Sequence, residues 1–419
     1  QLTRGFSPPM PLQILPIRAG FTAFCFPVGD LVLRVDVYHG DLEWRAAAYG
    51  LNGEILSQRW NDDGIDVASS MHQAFLAWFS LLLRERSFKE RYAPMISQAV
   101  RAQPAPFRAL LSRAFGERMA DHLMTLAISD RLANCDALAG DLRRLVWLHA
   151  LRRRPMSTVW RAVRQVGNAI EHRIRPAGID VALLGPDGSG KTTLCETISD
   201  LPARRIPFAG VSYRKLYHRV LPTLGDLESM VLRKPRRAGA DATNPQGAAP
   251  RPLVAWAMFQ TYYTIDHWLS EAIWNRRKLA HGNLVLLDRH PLEVAVDPAR
   301  YRYGGPMRIA RWFARLAPQP DLLIVLDAPP DVIQARKQEL TLEETSRQRW
   351  AFRALAASTP NARIVDASQP FEKVLDDVLA EISSFAAERT ARTFHLGERL
   401  SPTPRAKAVN EQRAGGARA

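Results

Sequence analysis

From Pro176 onward, short unbroken apolar runs alternate with stretches whose apolar positions return every three or four residues. The runs at 179–184, 283–287, 322–326 and 363–365 predict strands buried on both faces. Helical spacing predicts helices at 191–201, 253–281, 307–316, 329–338, 342–357 and 371–386. Such alternation builds a parallel sheet with helices on both faces, so the expected class is α/β. Upstream the period differs. Leu31–Tyr38 alternates apolar with polar residues and reads as a strand, while 41–59, broken by Gly50 and Gly53, reads as hairpin material. From 67 to about 170 the spacing is helical, with Phe75, Leu76, Phe79, Leu82 and Leu83 on one side. Pro94, Pro104, Pro106 and Pro155 divide that region into several helices, giving a mostly helical α+β N-terminal domain.

The expected organisation is an N-terminal domain over 1–140, a basic helical connector over 141–176, an α/β domain over 177–388 and a disordered basic tail over 389–419. A Pro-, Gly-, Arg- and Ala-rich stretch at 233–251 reads as a mobile loop, and no internal repeat is found.

Composition narrows the classes. The 419 residues are 47% hydrophobic and 24% charged, which excludes wholesale disorder, collagen and coiled coil. No apolar run reaches the ~18–20 residues of a membrane span, since the stretch from Phe75 to Leu83 contains Ser80 and ends at Arg84. Cys25, Cys135 and Cys195 are scattered, form no CxxC pair and favour a reducing cytoplasm. The chain opens at Gln1 without a methionine or a signal pattern, which leaves room for a missing N-terminus. The net charge of +15 is spread along the chain, densest between Arg143 and Arg175. A solvated helical face accounts for that stretch better than a nucleic-acid stripe, and anionic small-molecule partners account for the rest. Oligomeric state is not legible, and a homodimer is left open.

The strongest motif is Gly185-Pro186-Asp187-Gly188-Ser189-Gly190-Lys191-Thr192, a G-x-x-x-x-G-K-[ST] loop between a predicted strand and a predicted helix opening at Thr193. Its glycines let successive backbone N–H groups turn inward onto phosphate oxygens, and the helix adds its positive dipole end. Lys191 suits the β/γ phosphates, and the Thr192 hydroxyl suits Mg²⁺. The α/β domain is therefore expected to be of the P-loop NTPase type, binding ATP with Mg²⁺. A second predicted strand ends abruptly in Asp288-Arg289-His290. Ligands in open α/β sheets sit beyond the carboxyl ends of strands, so Asp288 can hold Mg²⁺ or accept a proton, and Arg289 can grip an anion. The same pair also reads as a surface cap on the following turn.

Four segments in order carry a resemblance: the 185–192 loop, Lys278 through His290, Pro320 through Lys337, and Arg363 through Ser368. Together they resemble thymidylate kinase and related P-loop nucleotide kinases over roughly residues 178–386. The resemblance implies an ATP- and Mg²⁺-dependent phosphotransferase acting on a small anionic acceptor, with Asp288 and Arg289 beside the acceptor phosphate. It also implies a basic lid. Where the loop has Gly188 rather than Arg, the lid supplies the charge, which makes Arg336, Lys337, Arg347 and Arg349 candidates. Arg347 and Arg349 read equally well as members of Glu–Arg pairs on an exposed helix with Glu339, Glu343 and Glu344.

The departures concern the acceptor. His267 falls where the family has an acceptor-contacting Arg, the family's Arg-Glu-Pro-Gly element is replaced by 208–251 with Tyr213, Arg214, Lys215 and His218, and Asp297 through Pro306 replaces a Ser/Gln segment. In that last run Arg300 and Arg302, interleaved with Tyr301 and Tyr303, can offer guanidinium groups to a sugar or phosphate, or can lock the loop on itself. This divergence resembles a group associated with bacterial surface-polysaccharide clusters. A sugar or polysaccharide precursor is therefore an alternative acceptor, and a nucleotide-binding switch is the remaining rival. The 31–37 strand resembles faintly a nucleotidyltransferase strand with Asp36 as metal carboxylate, but no Gly-Ser…Asp-x-Asp precedes it, so no activity is assigned to the N-terminal half.

Overall fold

The computed structural model describes residues 13–393 apart from 19–20, 29–30, 39–42, 45–46, 49–51, 63–64, 203–204, 215–219, 223–248 and 339. Most of the predicted 233–251 loop, and the tail from 394 on, lie outside the described residues. The chain separates into two units. One comprises Arg18–Thr22 and Val37–Ile170, and the other Gln1–Ile17, Ala23–Asp36 and Glu171–Ala419.

Strands β1 (Gln13–Arg18), β2 (Phe21–Val28) and β3 (Leu31–Tyr38) form a sheet in that order. The 41–59 segment is not a plain hairpin. Two-residue strands β4 (Glu43–Trp44) and β5 (Ala47–Ala48) pair antiparallel, and helix α1 (Asn52–Ser57) follows. Gly53 therefore sits within α1 rather than in a turn, with no atom within 4 Å of where a side chain would begin. A further short antiparallel pair, β6 (Trp60–Asp62) and β7 (Ile65–Val67), leads into the helices.

The helical unit is built on α2 (Ser70–Glu85), α3 (Ala93–Ala102), α4 (Pro104–Phe115), α5 (Glu117–Ile128) and α6 (Cys135–Arg153). Pro94 and Pro104 occupy first-turn positions, where a missing N–H leaves no helical bond unmade. The face predicted for α2 is the one that packs: Phe75, Phe79, Leu82 and Leu83 are buried, and Leu76 is partly so. Phe79 stands 4.7 Å from both Trp78 and Phe115, ring centre to ring centre, and forms the middle of an aromatic core. Helix α7 (Pro155–Ile174) continues from α6 after Arg154.

The other unit centres on a five-stranded sheet. Its strands are β8 (Ile179–Leu184), β9 (Val211–Arg214), β10 (Leu284–Leu287), β11 (Leu322–Asp327) and β12 (Ala362–Asp366), ordered β12-β11-β8-β10-β9. Every pairing is parallel, as the unbroken apolar runs predicted. Strand β8 lies in the middle and all six of its residues are buried. Ile179, Val181 and Leu183 face one core, while Ala182 and Leu184 face the other, the two-residue period of a strand covered on both sides. This is a P-loop NTPase-type α/β sheet. Strand β9 went unpredicted because only four residues, all half-buried, mark it as an edge.

The covering helices are α8 (Lys191–Asp200), α9 (Leu253–Ser270), α10 (Arg276–Ala280), α11 (Met307–Leu316), α12 (Pro330–Arg336), α13 (Leu342–Ala357) and α14 (Phe371–Thr393). The single helix expected over 253–281 is interrupted by a π-turn at Glu271–Asn275, an irregularity that apolar spacing does not register. Helix α14 also runs past the predicted 386, because Arg389 donates to the carbonyls of Pro176 and Gly178 and pairs with Asp321 at 3.2 Å.

Candidate active site

The loop between β8 and α8 is shaped by glycine. Gly188 and Gly190 have φ of 89° and 91°, and an added Cβ at Gly188 would stand 3.1 Å from that of Lys337. Gly185, with φ of 154°, passes so close to β11 that a Cβ there would meet the Leu326 carbonyl oxygen at 2.6 Å. Lys191 is buried at the start of α8, and its Nζ donates to the carbonyls of Gly185 (2.7 Å) and Pro186 (2.9 Å). Burial pulls its pKa below the ordinary lysine value, with Asp187 opposing. Ser189 Oγ is buried without a partner, while Thr193 is exposed on the first turn of α8.

Strand β10 runs beside β8 and delivers its carboxyl end to this loop. Thr192 Oγ1 donates to Asp288 Oδ2 at 3.1 Å, joining positions 96 residues apart. Tyr213 Oη, from the edge strand β9, donates to the same oxygen at 2.9 Å. Asp288 Oδ1 is buried with no hydrogen-bond partner. A buried carboxylate oxygen left unpaired next to a threonine hydroxyl is what Mg²⁺ asks of a protein, since that ion keeps several waters and needs few protein ligands. Among the described residues no group of three or more His, Cys, Asp and Glu side chains gathers as a metal cage.

Opposite Lys191 stands an ionic cluster built around Asp187. Arg300 ion-pairs with its Oδ2, Arg289 Nη2 lies 3.8 Å from Oδ1, and Lys191 Nζ lies 3.8 Å from Oδ1. Burial opposes ionisation of Asp187, but Lys191, Arg300, Arg289 and Lys337 together hold its pKa below the ordinary range. Arg300 is also fixed by Asp297, Nε to Oδ2 at 3.3 Å. Glu293, four residues after Arg289 on the 3₁₀ turn Pro291–Ala295, is buried, with its Oε2 3.5 Å from Arg289 Nη1 and within 3.5 Å of Tyr301 Oη. Burial raises its pKa to about 6, against Lys191, Arg289 and Arg300, which lower it.

That shift has a sign. The folded state holds the Glu293 proton more tightly than the unfolded chain does, so its destabilising effect is absent below about 4.5 and complete above about 6. Unfolding midpoints of wild type and Glu293→Gln at pH 5 and pH 7 test this. Raising the pH from 5 to 7 should cost wild type about 1 kcal/mol relative to the glutamine variant. A gap unchanged between the two pH values would contradict it.

The remaining candidates are dispersed by partners of their own. Arg302, with φ of 51°, turns its Nε to the Ala249 carbonyl at 3.0 Å, away from Asp187. Arg336 Nη1 donates to the Ala367 carbonyl at 2.8 Å, whereas Lys337 packs its stem against Gly188. Arg347 makes two bonds to Glu344 and one to the Val296 carbonyl. Arg349 grips Asp327, at the end of β11, with contacts of 2.7 and 3.0 Å, and Arg353 joins it at 2.7 Å. His267 is buried, its ring 5.5 Å from that of His290, and burial pushes its pKa down to about 4. It is neutral at physiological pH and so does not stand in electrically for an arginine. Lys215, His218 and the side chain of Asp36 lie outside the described residues.

Sequence reasoning gave no role to Tyr213 or Glu293. The four-residue spacing from Arg289 was the available signal for Glu293, and for Tyr213 the signal was its place in the 208–251 segment that replaces a family element.

No protein-family profile matches the chain. A thymidylate kinase of Xylella fastidiosa (strain M12) is 29% identical over 221 residues, 49% of this chain and 88% of that protein. Another, of Xanthomonas campestris pv. campestris (strain B100), is 28% identical over 232 residues, 52% of this chain and 88% of its own length. The chain carries a divergent thymidylate-kinase-like unit. A solved thymidylate kinase structure from Candida albicans aligns with 50% of this chain and 93% of its own at 18% identity and a TM-score of 0.36. The thymidylate-kinase-like unit accounts for about half of the chain in both sequence comparisons.

Proposed function

We propose that the thymidylate-kinase-like unit is a phosphotransferase that moves the γ-phosphoryl group of ATP to a small anionic acceptor. The observation that carries the reading is the Thr192–Asp288 contact with its unpaired buried oxygen, because it joins the phosphate loop and the second strand end at one point. The names of the relatives support the same class.

In this reading the backbone N–H groups from Gly185 to Thr193 cradle the phosphates, and Lys191 exchanges the carbonyls of Gly185 and Pro186 for β/γ oxygens. Thr192 and Asp288 are the residues that would hold Mg²⁺, which when bound neutralises charge on the β and γ phosphates. Arg289 and Arg300, already directed at Asp187, would meet the acceptor's negative charge, while Lys337 supplies positive charge beside the loop and Arg336 contributes only by leaving the Ala367 carbonyl. The acceptor oxygen bonds to the γ-phosphorus as the bond to the β–γ bridging oxygen breaks, leaving ADP. Catalysis is then largely positioning and charge neutralisation. Arg347 and Arg349 contribute only by leaving Glu344 and Asp327.

A second reading, a non-nucleotide acceptor such as a sugar phosphate, is favoured by one observation. The neutral, buried His267 withdraws the cation that the family places against the acceptor nucleotide. ADP release measured with ATP, Mg²⁺ and a panel of nucleoside monophosphates and sugar phosphates separates the two. Stimulation by thymidylate supports the first reading, and stimulation by a sugar phosphate alone supports the second. ATP binding with no acceptor-stimulated ADP release rejects both and leaves a nucleotide-operated switch.

A further inference from the structure

Helix α7 carries its apolar residues on the outside. Met156, Trp160, Val163, Val166, Ile170 and Ile174 all project from one stripe ~120° wide, by the 100° advance of a helical residue. They are 83%, 67%, 57%, 62%, 56% and 68% exposed. Thr158, on the opposite side, is buried. A row of large apolar side chains held in water is unfavourable, and its length and regularity distinguish it from scattered surface residues.

What surrounds the stripe selects its occupant. Between 152 and 175 the chain has seven arginines and one acidic residue, Glu171. Arg152, Arg153 and Arg154 precede the helix and Arg175 follows it, all exposed, and Arg164 and Arg173 are exposed along the two borders of the stripe. A second copy of the 152–175 segment would bring seven more arginines against these with a single glutamate to answer them, so self-pairing is electrostatically opposed. A nucleic acid would suit the arginines and leave the valines and Trp160 in water. An anionic lipid surface satisfies both halves of the pattern: apolar residues enter the acyl boundary, Trp160 sits at the interface, and arginine stems reach back to the headgroups. No described helix is long and apolar enough to cross a membrane, which agrees with a helix that lies on one.

We infer that α7 is an interfacial helix that docks the protein on an anionic membrane surface. The inference is independent of the phosphotransfer reading. Flotation of the full chain with vesicles tests it, comparing phosphatidylcholine alone with phosphatidylcholine containing about 30% phosphatidylglycerol. Wild type should float with the anionic vesicles only, and added salt should weaken the association. Trp160→Glu/Val163→Glu should lose at least about tenfold in binding, and Arg152→Gln/Arg153→Gln/Arg154→Gln a similar factor. If the double glutamate variant loses helical circular dichroism, Val166→Glu alone makes the comparison. Failure of wild type to float with anionic vesicles, or equal binding by the glutamate variants, would overturn the inference. So would sedimentation showing that the stripe instead pairs two copies, with dimers abolished by the same substitutions and no lipid bound.

Discussion

Replacing Lys191 with alanine should lower acceptor-stimulated ADP formation by about 10³-fold or more, as expected when the cation proposed to meet the β/γ phosphates is removed. Nothing else can take its place directly. Arg300 and Arg289 are engaged with Asp187, and Lys337 approaches the loop from the Gly188 side. The loop itself should keep its shape, because its path is set by the positive φ angles of Gly188 and Gly190 rather than by the lysine. Steady-state ADP release, paired with titration of a fluorescent ATP analogue, separates loss of turnover from loss of binding. Turnover by Lys191→Ala at the wild-type rate would rule out the phosphate-loop mechanism.

Asp288→Asn should be nearly as damaging, lowering kcat by about 10²–10³ and moving the Mg²⁺ requirement to higher concentration. The substitution keeps size and an acceptor oxygen for Tyr213 and Thr192, so the fold is not expected to suffer. What it removes is the charge on a buried oxygen that has no other partner. The informative measurement is ADP release as a function of Mg²⁺, together with the unfolding midpoint. An unaltered Mg²⁺ profile at full rate would show that Asp288 does not serve the metal. A lowered midpoint would point to a structural effect.

These two variants address the elements most visible in the sequence. The strand, glycine loop and helix around 185–192 are contiguous, so local sterics and apolar period announce them together. Asp288-Arg289-His290 was visible because charge follows an apolar run without transition. The lid arginines show the limit. Their sequence is compatible both with a catalytic lid and with ion-paired helices, and the folded chain gives Arg347 to Glu344 and Arg349 to Asp327. Arg300 and Arg302 read alike in the sequence, yet one reaches Asp187 and the other the Ala249 carbonyl, since the positive φ of Arg302 turns it away.

The amino-acid order by itself determined most of the strands and helices of the α/β unit, that its sheet is parallel, and that a glycine loop of the phosphate-binding pattern follows its first strand. Those properties depend on neighbours a few residues apart, through steric limits on the backbone and the period of apolar side chains. Only the tertiary structure decided that Thr192 meets Asp288, that Tyr213 joins them from an edge strand, and that Glu293 is buried enough to titrate near 6. Ion pairing and desolvation depend on which distant groups are packed together and how much water is excluded between them, and no local window of the chain contains that information.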